Sequence, residues 1–130
     1  IEMYIDDLEP DLDTTTSVSI TQPKGSYFSY PVTCKSIKTI MKEEKLTHID
    51  ILKLDIEGGG IRVMKNLFEH NIFPDQICGE FERPAGKQAI EKYFSDLKEI
   101  FNILRSKGYR IFRTREADIG FQVEITAARY

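Results

Sequence analysis

The chain lacks the signals of a membrane protein, a metal-cysteine cluster or a nucleic-acid binder. No apolar run approaches the roughly 20 residues of a membrane-spanning helix, and residues 1–8 are too acidic and too poor in apolar length for a secretory signal. Only two cysteines occur, Cys34 and Cys78, with neither a CxxC pair nor metal-ligand spacing. Their apolar surroundings predict buried, reduced thiols and favour a cytoplasmic protein. No dense Lys/Arg stripe with interleaved aromatics is present, so nucleic acid is not an expected partner. Bases are absent from residues 1–16, where six acids stand: Glu2, Asp6, Asp7, Glu9, Asp11 and Asp13. The remainder carries 18 bases against 15 acids, so an acidic head precedes a mildly basic body. What is present, 130 residues with 41% hydrophobic and 30% charged content, reads as one globular domain able to bury a core.

The most informative stretch is Ile-Asp-Ile-Leu-Lys-Leu-Asp-Ile-Glu-Gly-Gly-Gly at residues 49–60. Ile49, Ile51, Leu52 and Leu54 form a short branched apolar run, the pattern of a strand buried on both faces of a parallel sheet. Asp55, Glu57 and the glycines then fall just past its carboxyl end, where open α/β sheets bind ligands. A second strand over residues 77–82 again ends in acids, Glu80 and Glu82, followed by Arg83 and Pro84. Acids at such ends also serve as helix caps or dipole partners. Two carboxylates beside a glycine loop exceed what capping needs.

Helical spacing surrounds these strands. Ile37, Ile40 and Met41 recur at i, i+3 and i+4 within a short amphipathic helix over residues 36–45, and Val63, Met64, Leu67 and Phe68 mark another after the glycines. His70 is placed at that helix's end, a position for a cation rather than a base. The longest helix spans residues 87–107, with Ile90, Tyr93, Phe94, Leu97, Ile100, Phe101 and Leu104 on one face and Gly108 as its stop. Residues 109–114 and 121–126 read as strands joined by a turn, an antiparallel hairpin. Toward the start, residues 1–5 and 17–21 read as short strands. Tyr27, Phe28 and Tyr30 form an aromatic, extended segment whose Pro31 argues for an edge. These rings suit packing, with an acceptor pocket as the alternative.

The Leu-Lys-Leu-Asp-Ile-Glu-Gly run at 52–58, the helix before it, the Ile-Cys-Gly-Glu strand at 77–80 and the Lys-Gly-Tyr-Arg-Ile-Phe segment at 107–112 resemble the C-terminal half of FkbM-type methyltransferases. The resemblance covers about residues 32–126. It implies an α/β, Rossmann-like seven-stranded methyltransferase fold, here its C-terminal half, with a mainly parallel sheet and a terminal antiparallel hairpin. Residues 1–31 would be an irregular acidic head with short strands. It also implies S-adenosylmethionine as cofactor and methyl transfer to a hydroxyl of a sugar, lipid or small natural product. By the same resemblance Asp55, Glu57 and Glu80 are the candidate catalytic residues, and Asp55 and Gly58 would face the cofactor. Mechanistically, a carboxylate can orient or deprotonate an acceptor hydroxyl held in line with the methyl group.

Two departures from the family pattern shape the expectation. Gly60 stands where the motif carries a second acid, and the family's donor-binding glycine loop does not appear in residues 1–31. The chain is therefore expected to be a fragment lacking that loop. The alternative is a non-catalytic, degenerate methyltransferase-like domain that binds a partner or dimerises. In the implied fold the strand at 51–54 is central, so its exposed side calls for cover by residues 1–5, by residues 17–21, or by a second copy of the chain. A third reading takes Asp55, Glu57, Glu80 and Glu82 as hard oxygen ligands for Mg²⁺ or Ca²⁺, should they converge.

Overall fold

The computed structural model describes residues 2–5, 18–19, 28–31, 33–56, 58–84, 86–113 and 122–129, with side chains described from residue 33 onward. Three short strands, β1 (Glu2–Ile5), β2 (Val18–Ser19) and β3 (Phe28–Pro31), form an antiparallel sheet in the order β2-β1-β3. Pro31 closes β3 on the outer edge of this sheet, opposite Glu2, where a missing backbone donor is tolerated.

The remaining elements are α1 (Ile37–Glu43), β4 (Ile51–Leu54), α2 (Gly60–Glu69), β5 (Gln76–Glu82), α3 (Lys87–Ser106), β6 (Arg110–Arg113) and β7 (Gln122–Ala128). Ser36 caps α1, its hydroxyl accepting from the backbone N–H of Thr39 at 3.1 Å. All three helices end the same way, on a residue with positive φ: Lys45 at 56°, Asn71 at 54° and Gly108 at 86°. In each, the next N–H reaches back a full turn: Leu46 to Met41, Ile72 to Leu67 and Tyr109 to Leu104. These paired bonds satisfy carbonyls that would otherwise be orphaned. Gly108 thus stops α3 as its place in the sequence implies, and His70 is the cap residue of α2.

The second sheet has the order β4-β5-β7-β6. β4 and β5 pair in parallel, whereas β7 runs antiparallel to both β5 and β6. β6 therefore points the same way as β4 and β5, with β7 inserted against the grain. The sheet is mixed: the expected antiparallel hairpin partners do pair, but β7 is wedged inside the sheet rather than appended to its margin.

Strand alternation assigns the two faces. Ile77, Gly79 and Phe81 of β5, Ile125 and Ala127 of β7, and Leu54 of β4 are buried, and the apolar ones join Met64 and Leu67 of α2 and Tyr93, Leu97, Ile100 and Leu104 of α3 in one core. Each large side chain so buried contributes about 1.5–3 kcal/mol before chain entropy is counted. Across the space between the helices, Lys65 of α2 meets Asp96 of α3 at 2.8 Å.

Four expectations are corrected. β4 is not buried on both faces: Ile51 is 64% exposed, and of the strand only Leu54 is buried. The core helices α2 and α3 cover a single face, and among the described residues β4 has no neighbour beyond β5. Among the described residues, strands β1 and β2 pair within their own sheet and not with β4. Phe94 is 51% exposed although it falls in the α3 stripe, because it lies at the stripe's margin beside Tyr93. Both cysteines are free, but Cys34 is exposed and Cys78 half-buried, so neither is the sealed thiol that apolar neighbours suggested.

Candidate functional site

The sheet face turned away from α2 and α3 carries the site. Register alone builds it. Lys53 of β4 lies beside Cys78 of β5, which lies opposite Thr126 of β7, giving one row of side chains across three strands. One step toward the carboxyl ends of β4 and β5, Glu80 lies opposite Glu124, and Asp55 leaves β4 just after the Leu54–Gly79 pair. The two rows line a cavity of about 240 Å³, whose walls are Lys53, Leu54, Asp55, Cys78, Gly79, Glu80, Glu124, Ile125 and Thr126.

The charge pattern is strongly one-sided. Asp55, Glu80 and Glu124 present carboxylates, and Lys53 is the cation among the lining residues. Its ammonium lies 3.2 Å from Asp55 Oδ2. Above the cavity, at the last residue of β5, Glu82 Oε2 accepts a hydrogen bond from the backbone N–H of Gly58 at 2.6 Å. Gly58 holds φ at 86°, a conformation suited to glycine, so that the chain leaving β4 can turn back toward β5. Asp55, Glu80 and Glu82 each place a carboxylate oxygen within 4.8 Å of the others.

Behind the rim, the Tyr93 hydroxyl donates to the carbonyl of Phe81 at 2.6 Å. Burial, and then the nearby Glu82 charge, push its phenol up to about 12. Tyr93 is therefore a neutral structural donor at ordinary pH.

Of the residues singled out in the sequence, Asp55, Gly58 and Glu80 come together at this rim, and Glu82 joins them. Glu57 lies outside the described residues, as do the side chains of Tyr27, Phe28 and Tyr30. Sequence reasoning missed Lys53, Cys78, Glu124 and Thr126. A signal existed for Lys53, a cation alternating with Leu52 and Leu54 in an otherwise apolar strand, which marks a face turned away from the core. Glu124 and Thr126 alternate with the buried Ile125 and Ala127 in the same way, but only pairing with β5 reveals their neighbours.

The arrangement, an α/β sheet with carboxylates and a glycine turn at the carboxyl ends of adjacent parallel strands, is consistent with a methyltransferase-like α/β fold. A family model for the methyltransferase FkbM domain matches residues 4–111, and the chain belongs to the FkbM methyltransferase family. No curated protein and no solved structure matches it. Among the described residues no helix is long and apolar enough to cross a membrane.

Proposed function

We propose that this protein takes part in S-adenosylmethionine-dependent methyl transfer to a hydroxyl of a sugar, lipid or small natural product, and that the residues described form the acceptor side of that site. The observation that carries this reading is the cavity at the carboxyl ends of β4 and β5, with Asp55 at its rim and Glu80 on its wall, in a chain of the FkbM family.

The cavity lining suits only part of the methyl donor. Its carboxylates can accept hydrogen bonds from an ammonium group or from hydroxyls, but it contains no aromatic ring against which an adenine would stack. When bound, S-adenosylmethionine supplies the electrophilic methyl group. The work of these residues lies with the acceptor. Asp55, 47% exposed and paired only loosely with Lys53, is open to an entering hydroxyl. It would accept that hydroxyl's proton in a hydrogen bond, fixing the oxygen's direction and raising its nucleophilicity. Glu80, deeper on the same face, supports a second polar group of the acceptor, and Glu57 is assigned the same supporting part on the strength of the motif. Gly58, whose N–H is held by Glu82, fixes the loop that follows Asp55.

The test is methyl transfer from isotopically labelled S-adenosylmethionine into panels of sugars, lipids and hydroxylated small molecules, comparing the protein with Asp55→Asn. Label incorporation that falls in the variant supports the reading. Incorporation that is equal in both sinks the assignment to Asp55.

A second, non-catalytic reading has one specific observation behind it. Ile51 is 64% exposed on an edge strand that pairs only with β5 among the described residues. Such an edge suits strand addition by a partner or by a second copy of the chain. Sedimentation of the protein and of Ile51→Lys distinguishes this reading: a shared monomeric mass removes the self-association form of it.

A further inference from the structure

We infer that Asp55, Glu80 and Glu82 form a binding site for one hard divalent cation, Mg²⁺ or Ca²⁺. Three side chains from two adjacent parallel strands each bring a carboxylate oxygen within 4.8 Å of the others. Ca²⁺ binds oxygens at about 2.3–2.6 Å, so three oxygens mutually within 4.8 Å need draw together only slightly to share one ion, and Mg²⁺ at about 2.0–2.1 Å requires a larger contraction.

Proximity of acids alone would not make a site. The second observation is the state of Glu82. Its Oε2 is fixed by the Gly58 N–H at 2.6 Å, whereas its Oε1 is sealed from solvent and has no hydrogen-bond partner among the described residues. A carboxylate oxygen withdrawn from water without a donor is costly, and a metal ion is one of the few groups able to offset that cost. The Gly58 bond also orients the carboxylate, as outer partners of metal ligands commonly do. Across the sheet, Glu124 stands directly opposite Glu80 on the same face. Like charges at such paired positions repel, which further favours positive charge between them.

The chemistry of the donor set selects the ion. All three ligands are carboxylates, which suits Mg²⁺, Ca²⁺ or Mn²⁺ and disfavours softer metals. An ion that takes roughly six to eight oxygens leaves several positions open beyond three protein ligands. Two of the three ligands, Asp55 and Glu80, also line the cavity. There an ion would hold an acceptor's oxygen and lower the pKa of its hydroxyl. This catalytic task rests on the methyl-transfer reading above; the binding of the ion does not.

The test therefore measures binding without donor or acceptor. Ca²⁺, Mg²⁺ and, for its paramagnetic signal, Mn²⁺ are titrated into the protein by calorimetry and electron paramagnetic resonance. The variants are Glu82→Gln, Asp55→Asn and, as a probe of the other acid-rich group formed by His48, Asp50 and Asp75, Asp50→Asn. One ion per chain is expected, with a dissociation constant of about 10⁻⁴ to 10⁻³ M as for weak, partly open sites. Glu82→Gln and Asp55→Asn should each weaken it by about tenfold or more, and Asp50→Asn should leave it unchanged. Should Glu82→Gln fail to fold, Asp55→Asn on an exposed side chain carries the comparison alone. No saturable binding of any of the three ions overturns the proposal. So does binding that survives both rim variants, or that is lost in Asp50→Asn. Ion binding without any methyl transfer would retain this site while removing the function proposed for it.

Discussion

The backbone N–H of Gly58 donates to Oε2 of Glu82 at 2.6 Å, so the loop leaving β4 is tied to the last residue of β5. The bond exists because Gly58 takes φ of 86°. Gly58→Ala should therefore cost about 1–2 kcal/mol through the left-handed backbone. It should also loosen Glu82. Urea unfolding checks the first effect, and cation titration of the same variant checks the second. An unchanged unfolding midpoint would mean that the loop can reach β5 by another path.

Asp55 gives a cleaner split between stability and activity. Its side chain is 47% exposed and its described partner, Lys53, is 74% exposed. Asp55→Asn should thus alter stability by no more than about 0.5 kcal/mol, the usual range for surface changes. Methyl transfer should fall by about 10²- to 10⁴-fold if the carboxylate acts as general base. The loss is expected in kcat more than in KM. A variant equally impaired in folding would assign Asp55 a structural role instead.

Tyr93 ties stability to alkaline pH. Its phenol is raised from 10.0 to about 12, chiefly by burial and then by Glu82. Between these values the unfolded chain releases the proton while the folded one keeps it. This contribution to stability is complete below pH 10 and is lost as pH rises toward 12. Tyr93→Phe should cost about 1–2 kcal/mol at neutral pH by leaving the Phe81 carbonyl without that donor. It should also flatten the alkaline limb of the stability curve. Tyr109, likewise raised by burial, should keep a smaller alkaline dependence in that variant, seen as late phenolate absorbance.

The acid limb has different owners. Asp75 lies 2.8 Å from His48 and 3.3 Å from Arg129, and the His48 hydrogen bond leads in holding its carboxyl below the ordinary 3.8. Asp96 is lowered in the same direction by Lys65 and then Lys92. Carboxyls depressed in the fold stabilise it above their unfolded pKa, and that gain is lost as pH falls through the folded value. Acid unfolding followed by circular dichroism should therefore steepen below about pH 4. Asp75→Asn and Asp96→Asn should each remove part of that slope, and an unchanged slope in both would assign it elsewhere.

The sequence makes α3 legible because seven large apolar residues repeat at helical spacing and Gly108 follows them, and the helix, Lys87–Ser106, ends one residue short of the expected span. The strand over residues 51–54 is legible as a strand, and the resemblance implies its exposed side, but the covering of only one of its faces is not legible. An apolar run records what a strand is made of, whereas its burial depends on which neighbours it has. The convergence of Asp55 with Glu80 and Glu82 is even less visible, since it depends on Leu54 pairing with Gly79, a register that no local pattern encodes. The placement of β7 between β5 and β6 explains why Glu124 joins the site, and hairpin reasoning alone would have left it at the margin.

Gly60 has a structural account as well as a motif-based one. A Cβ on Gly60 would stand 3.0 Å from Cδ1 of Phe81 and 3.2 Å from the carbonyl oxygen of Glu80, and a Cβ on Gly79 would stand 2.8 Å from the same ring. Phe81 is 1% exposed and has little freedom to move aside. A second acid at position 60, as the family motif carries, would therefore press α2 away from β5 in this chain. Gly60→Ala should cost about 1–3 kcal/mol, the range for overpacking a filled core. Replacing the ring by Phe81→Leu opens space on one side of that Cβ while the Glu80 carbonyl still limits the other. The two substitutions together should then cost less than the sum of each alone, by about 0.5 kcal/mol or more. Denaturant unfolding of the four proteins of this cycle reads the coupling directly. Strict additivity would show that the glycine answers to the backbone of β5 rather than to Phe81, and that the missing acid has some other cause.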